Sequence, residues 1–285
     1  MNHTVRIIPK LDIKGSNLVK GIHLEGLRVL GKPEDFAKHY YETGADELLY
    51  VDVVASLYGR NSLDDIISRT AKEIFIPLTV AGGIRSVEDI KRVLRAGADK
   101  VALNTAVIKN PDLIKEASLI FGSSTISISI EALKQSDGRY LAYTDNGREY
   151  TGIEVIAWAK QVEACGAGEI ILTSIDQEGT AQGYDIELTK QVTSAVSIPV
   201  VACGGASSSQ SILEIIRLGE ADAVSLSSIL HYGVIAENKA NFIPEKEGNT
   251  EFLKNGSASS KITPTSIPEI KKYQTKHHVK CRLLG

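Results

Sequence analysis

Two acids in this sequence occupy comparable places: Asp12 near the end of RIIPKLDI (6–13) and Glu131 at the end of TISISIE (125–131). Each closes a short run rich in Ile, Val or Leu, the pattern of a strand buried on both faces. Carboxylates set on opposite sides of one ligand suit paired general acid and base work, when their surroundings split their affinities for protons. A single acid there could equally cap a loop or pair with a lysine, whereas two at opposed positions favour chemistry. A second group of residues suits anions. Gly82-Gly83 and Gly204-Gly205 leave backbone N–H groups open to a ligand. Asn104-Thr105 and Ser227-Ser228 end the strand-like runs that follow, where a helix N-terminus would favour negative charge. Asp52, Ser174 and Asp176 also fall at run ends. The glycine pairs belong to a repeated frame. IPLTVAGG at 76–83 returns as IPVVACGG at 198–205, and GADEL at 44–48 as GAGEI at 166–170, each 122 positions later. The repeat implies two phosphate sites on opposite sides of one mouth, and an elongated ligand with a phosphate at each end.

Eight strand-like runs must position these groups: 6–13, 47–54, 77–83, 100–104, 125–131, 169–175, 199–205 and 223–228. Between them lie amphipathic stretches such as PEDFAKHYYETGA, SVEDIKRVLRAGA, PDLIKEASLIFG and GIEVIAWAKQVEACGA, several ending at a Gly that can cap a helix. Eight strand–helix units predict an α/β fold, a (β/α)8 TIM barrel, and the repeat makes it two similar half-barrels. A doubly wound sheet would not give this two-fold register. In the barrel the first and fifth strands face one another, which sets Asp12 opposite Glu131. All the residues above then lie at the C-terminal ends of the strands, where barrels of this kind carry their sites. Arg6, Glu47, Lys100 and Glu169 start their strands and so fall on the opposite face, the floor. From position alone, a floor cluster of this kind reads as barrel stability.

The 285 residues carry 32 Lys+Arg against 35 Asp+Glu, 43% hydrophobic and 24% charged. This is an ordinary globular composition, and the near-neutral balance argues against a nucleic-acid or membrane-surface binder. No signal peptide or membrane segment is expected, and Cys165, Cys203 and Cys281 have no metal-like spacing, which together point to a cytoplasmic protein with reduced thiols. Neither a cofactor nor a metal ion is expected. The whole chain, 1–285, reads as one barrel, with a polar insertion at 236–265 after the eighth strand that reads as a surface segment rather than a lid. Ser266 and Glu269 have capping-box spacing ahead of the closing helix IPEIKKYQTKHH.

RIIPKLDIK…LVKGIHLEGLR, PLTVAGGIRSVEDIKRVLRAGADKV, TDNGREYTGIE, GAGEIILTSIDQEGT, GYDIELTKQV, IPVVACGGA and IPEIKKY resemble the cyclase subunit of imidazole glycerol phosphate synthase, over nearly the whole chain apart from 236–265. The resemblance implies a two-half barrel that takes a bis-phosphorylated phosphoribulosyl-formimino-aminoimidazole carboxamide ribotide. With ammonia it forms imidazole glycerol phosphate and releases aminoimidazole carboxamide ribotide. It also implies a glutaminase subunit docked on the floor as a heterodimer, sending ammonia through the barrel. Carried over by position, Asp12 matches the first catalytic acid and Lys20 the lysine of the first loop. Gly83, Asn104, Thr173, Gly179, Gly205, Ser227 and Ser228 fall on or near phosphate-binding positions, and Asp176 and Thr180 match residues of the sixth-strand loop. Arg6, Glu47, Lys100 and Glu169 match a charged gate at the ammonia entrance, which replaces the stability reading, and Asp99 beside it matches a partner-contacting position.

Four positions depart from the pattern. Glu131 stands where the family has Asp, Lys10 where it has Cys, Cys203 where it has Ser, and Ala81 where it has the first Gly of a triple. The extra methylene of Glu131 moves its carboxylate by about 1.5 Å, a scale at which misplacement costs on the order of a hundredfold in rate. Three functions are compatible with these motifs. The first is the histidine-pathway cyclase, with Asp12 and Glu131 as acid and base. The second is a paralogous ammonia conduit serving a sugar amidotransferase that converts acetamido to acetamidino groups. The last, a sister phosphoribosyl isomerase, would not need the floor gate.

Overall fold

A computed structural model describes residues 3–55, 63–237 and 263–284. The first half of the chain runs β1 (Arg6–Lys14), β2 (Asn17–Ile22), β3 (Glu25–Gly31), α1 (Pro33–Glu42), β4 (Leu48–Asp52), α2 (Asp64–Thr70), β5 (Leu78–Ala81), α3 (Val87–Ala96), β6 (Lys100–Leu103), α4 (Thr105–Lys109) and α5 (Asp112–Phe121). The second half runs β7 (Ile126–Lys134), β8 (Tyr140–Thr144), β9 (Glu149–Glu154), α6 (Val155–Ala164), β10 (Glu169–Ser174), α7 (Ile186–Thr193), β11 (Val200–Cys203), α8 (Ser209–Arg217), β12 (Ala223–Leu226), α9 (Ser228–Glu237) and α10 (Ile267–Lys276).

Strands β1, β4, β5, β6, β7, β10, β11 and β12 pair in parallel in that order, and β12 returns to β1 with Arg6 opposite Ala223, closing the ring. This is the (β/α)8 barrel expected from the eight runs. The strand period of two divides each strand between two environments. One set of alternate residues, including Ile7, Leu11, Leu48, Tyr50, Val80, Val101, Ile128, Ile170 and Val224, joins the helices in the main core. The other set points into the lumen. There Ile8, Leu49, Ala81, Ala102, Ile171, Val201 and Ala223 form an apolar cluster of their own.

The helices start and stop where local chemistry dictates. Ser86 caps α3 by accepting from the Asp89 N–H at 3.2 Å, and Gly97 ends it at φ 123°. Ser266 and Glu269 form the expected capping box of α10. Three aspartates staple the floor by accepting backbone N–H groups of the preceding strand region: Asp46 from Ile7 at 2.8 Å, Asp99 from Leu78 at 2.8 Å and Asp222 from Val200 at 2.9 Å. Lys271 of α10, buried, donates to Asp46 at 2.7 Å and fastens the last helix to the segment before β4.

Two antiparallel hairpins were not anticipated by the sequence pattern. β2 and β3 extend β1 beyond the rim, and β8 and β9 extend β7 in the same way. As a result Glu131 is not the last residue of its strand. It pairs with Tyr143 inside the second hairpin's root, and Asp12 likewise pairs with Val19. The polar insertion at 236–265 lies, for 238–262, outside the described residues. No helix among the described residues is long and apolar enough to cross a membrane.

Candidate active site

Along β1 the inward side chains Arg6, Ile8, Lys10 and Asp12 mark four levels of the lumen. At the floor, Arg6 Nη1 donates to Glu47 at 2.8 Å and its Nη2 to Glu169; Lys100 Nζ reaches Glu47 at 2.9 Å and Glu169 at 3.4 Å. The two acids are repeat mates, and each bridges the same two cations. Thr79 Oγ1 donates to the second Glu47 oxygen at 2.6 Å, and Ser127 lies 3.5 Å from Glu169. Both hydroxyls belong to the ring and went unnoticed in the sequence, although each lies on an inward position of its strand. The apolar cluster forms the next level. Above it lies a small cavity of about 30 Å³, bordered by Lys10, Ala81, Glu131, Thr173 and Cys203. Lys10, Ala81, Glu131 and Cys203 therefore share one space.

Asp12 stands above this cavity, 3% exposed, between two ammonium groups: Lys10 Nζ at 3.4 Å and Lys20 Nζ at 3.4 Å. Glu178 completes the group, 3.6 Å from Lys10 and in direct hydrogen bond with Lys20. Burial raises the Glu178 carboxyl, but Lys10 and then Lys20 more than reverse this and hold it at about 2. Lys10 and Glu178 were not singled out as site residues; the β1 alternation that places Asp12 in the lumen also places Lys10, whereas nothing in DQEGT marks Glu178 as buried. The Lys10 backbone is fixed in turn. Its carbonyl accepts from Ser227 Oγ at 3.1 Å and faces His231 Nε2 at 3.0 Å, while His231 Nδ1 meets the Tyr40 hydroxyl at 2.6 Å. Burial, and then Lys20, push His231 down to about 3, so it is a neutral ring whose Nε2–H donates to the carbonyl.

The two halves of the mouth differ. The half formed by β4 to β7 is an open cleft of about 720 Å³ containing Asp52, Gly82, Gly83, Asn104, Thr105 and Glu131. Arg85, Lys109 and Arg148 add positive charge to its walls. Gly82 has φ 97°, and a Cβ there would overlap the Asp52 carbonyl oxygen, so only Gly fits. Glu131 accepts from the Gly147 N–H at 2.7 Å. Burial raises its carboxyl to about 7, against the opposing pull of that N–H and of Lys10. In the other half, Lys20, Gly179, Gly204, Gly205, Ser227 and Ser228 surround a space of only about 20 Å³. The β2–β3 hairpin fills this half: the His23 N–H donates to the Glu178 carbonyl at 2.8 Å, His23 Nδ1 contacts the Ile175 carbonyl at 2.9 Å, and Gly179 lies against Gly21.

Two expected site residues, Asp176 and Thr180, point elsewhere. Asp176 accepts from the Lys134 N–H at 2.9 Å and thereby ties the loop after β10 to the β7 extension. Thr180 Oγ1 closes its own turn on the Gln177 carbonyl at 2.8 Å. Asp99 is exposed on the floor, with one oxygen on the Leu78 N–H. Among the described residues no group of three or more His, Cys, Asp and Glu could hold a metal ion.

Comparison with known proteins shows the family. Residues 6–236 match the family model described as histidine biosynthesis protein. The chain belongs to that family. The imidazole glycerol phosphate synthase subunit HisF of Legionella pneumophila is 61% identical over 201 residues, 70% of this chain and 95% of the relative. The subunits of the same name from Methanopyrus kandleri and Methanococcus vannielii are each 48% identical over 80% of this chain, covering 90% and 92% of their own lengths. The protein is thus a member of the cyclase-subunit family of imidazole glycerol phosphate synthase, an enzyme family.

Proposed function

We propose that the chain is the ammonia-dependent cyclase subunit of imidazole glycerol phosphate synthase, with Asp12 and Glu131 as its acid–base pair. The observation that carries this reading is the order of levels in the lumen: a charged ring, an apolar ring, a small cavity, and then two carboxylates at the mouth. Neutral ammonia crosses an apolar level far more readily than ammonium, because an unpaired charge there has no compensating group. A glutaminase subunit on the floor would be the source, with Arg6, Glu47, Lys100 and Glu169 between it and the lumen and Asp99 at its margin.

The bis-phosphorylated substrate would place one phosphate at Gly82, Gly83, Asn104 and Thr105, in the open cleft. The other would lie at Gly179, Gly204, Gly205, Ser227 and Ser228, once the β2–β3 hairpin gives way. Between them, bond formation at the ammonia nitrogen releases protons, and departure of the carboxamide ribotide requires one. A carboxyl near 7, as at Glu131, can both give and take a proton at neutral pH. Asp12, held between two ammonium groups, is suited to the complementary role. No cofactor is required, and the setting is the cytoplasm.

The deciding experiment is turnover of the phosphoribulosyl-formimino substrate by the isolated chain with an ammonium salt at mildly alkaline pH. Formation of imidazole glycerol phosphate supports the reading; tight ligand binding with no product defeats it. The gate is tested separately in the complex with the glutaminase. Lys100→Ala removes one of the two cations that Glu47 and Glu169 share, so glutamine hydrolysis is expected to outrun product formation several-fold. An unchanged one-to-one stoichiometry would rule out a gating role for Lys100.

A further inference from the structure

A lysine in the lumen of a barrel is costly to bury and needs a reason to be there. Lys10 is 5% exposed and fastened at its carbonyl by His231 and Ser227. It belongs to a barrel strand, whereas Lys20, the other cation of the group, belongs to the hairpin that occupies the second half of the mouth. The group holds two cations and two carboxylates. If Lys20 were its only cation, any movement of the hairpin would strand Asp12 and Glu178 together as buried anions, an arrangement in which one carboxylate takes up a proton. With the hairpin in place, the space beside Gly204 and Gly205 is about 20 Å³, and Lys20 lies on its wall.

We propose that Lys10 is a positioning residue, the fixed counter-cation of Asp12 and Glu178, which holds both carboxylates in place when Lys20 departs with the hairpin to meet the substrate's phosphate. This rests on the cyclase reading for its purpose but not for its electrostatics. The groups facing Lys10 are Asp12 on its own strand, Lys20 on β2, Glu131 on β7, Glu178 after β10, Cys203 on β11 and His231 on α9. The two acids within ion-pair distance, Asp12 and Glu178, are the ones that Lys10 shares with Lys20.

The test is Lys10→Met in the full chain, read by carboxyl carbon NMR of labelled Glu and Asp across an acid titration. In the native protein Glu178 is expected to titrate below the usual carboxylate range, because Lys10 and Lys20 adjoin it. In Lys10→Met its midpoint is expected to rise by about one to three units, the usual effect of one close charge. Lys10→Met/Asp12→Asn restores the balance of one cation to one carboxylate and is expected to return Glu178 to its low value. Should Lys10→Met fail to fold while the double variant folds, the same imbalance is read through stability. An unshifted Glu178 in the single variant, or a double variant that behaves no better than the single, overturns the proposal. In turnover with ammonium salt, the acid limb of kcat in Lys10→Met is expected to move upward with KM little changed, which a merely structural role would not produce. If the native chain shows no turnover, the cyclase reading fails and the NMR measurement still decides the role of Lys10.

Discussion

Glu131→Gln is expected to reduce ammonia-dependent turnover by roughly 10²- to 10⁴-fold, the usual contribution of a general acid or base, and yet to leave the barrel more stable above neutral pH. Gln keeps the length of the side chain and removes only its proton chemistry, so ligand affinity should stay near normal. The stability effect follows from the raised carboxyl. In the unfolded chain Glu131 ionises near 4.5, and in the folded protein burial raises this to about 7. Between those values the folded state binds the extra proton, so the wild-type loses stability as pH rises through that window and reaches a floor above it. The loss is about 3 kcal/mol at most, less whatever residual solvent contact screens. Gln does not titrate there. Urea unfolding of both proteins at pH 4 and pH 8 should therefore show a difference that grows with pH in favour of the Glu131→Gln variant. A constant difference would mean that Glu131 is not held in the environment described, and normal turnover would remove it from the acid–base pair.

Gly205→Ala should be the most damaging single-methyl substitution at the mouth. Gly205 has φ 94°, and a Cβ added there would overlap the carbonyl oxygen of Gly183, whose own N–H donates to the Gly205 carbonyl at 2.8 Å. Conformation and contact both oppose the change, and neither obstacle is the movable end of a side chain. A loss of about 2–4 kcal/mol is expected from these two named causes. The N–H groups offered to the second phosphate would also be displaced. Thermal unfolding and titration with imidazole glycerol phosphate measure the two effects, and a variant that keeps both stability and affinity would show that this backbone is free to move. The substrate-binding deficit should exceed that of a comparable substitution at Gly83, which lies in the half that is already open.

The barrel and its two halves were legible because both rest on long-range regularities of the chain: eight apolar runs and a repeat of 122 positions. The ends of those runs gave Asp12, both glycine pairs and the members of the floor ring, since in a closed barrel position along a strand fixes height in the lumen. What escaped notice lies where that rule lapses. β1 and β7 do not stop at the rim, so their continuations read as loop; the turn residues at Asp145-Asn146-Gly147, all with positive φ, were the available signal for the second hairpin. Glu178 is buried beside Lys20 of the first hairpin and Lys10 of β1, a setting that its own stretch of sequence does not mark. Asp176 and Thr180 show the converse, polar residues in a well-marked loop whose side chains brace backbone, Asp176 on the Lys134 N–H of β7 and Thr180 in its own turn.

A closed ring of strands has no edge, and this gives the two hairpins another significance. Among the described residues the only strands with a single partner are β3, which pairs with β2, and β9, which pairs with β8. Unpaired edges are where chains add to one another and aggregation begins. Among the described residues the unpaired strand edges therefore lie at the mouth, the face that must stay accessible. Both edges are poor templates: register shifts interrupt each hairpin, between Leu18 and Val19, between Lys20 and Ile22, and between Leu141 and Tyr143, and Arg28 and Glu149 place charge along the outer strands. Substitutions that make these hairpins more regular or more apolar would be penalised in solubility before they were noticed in turnover.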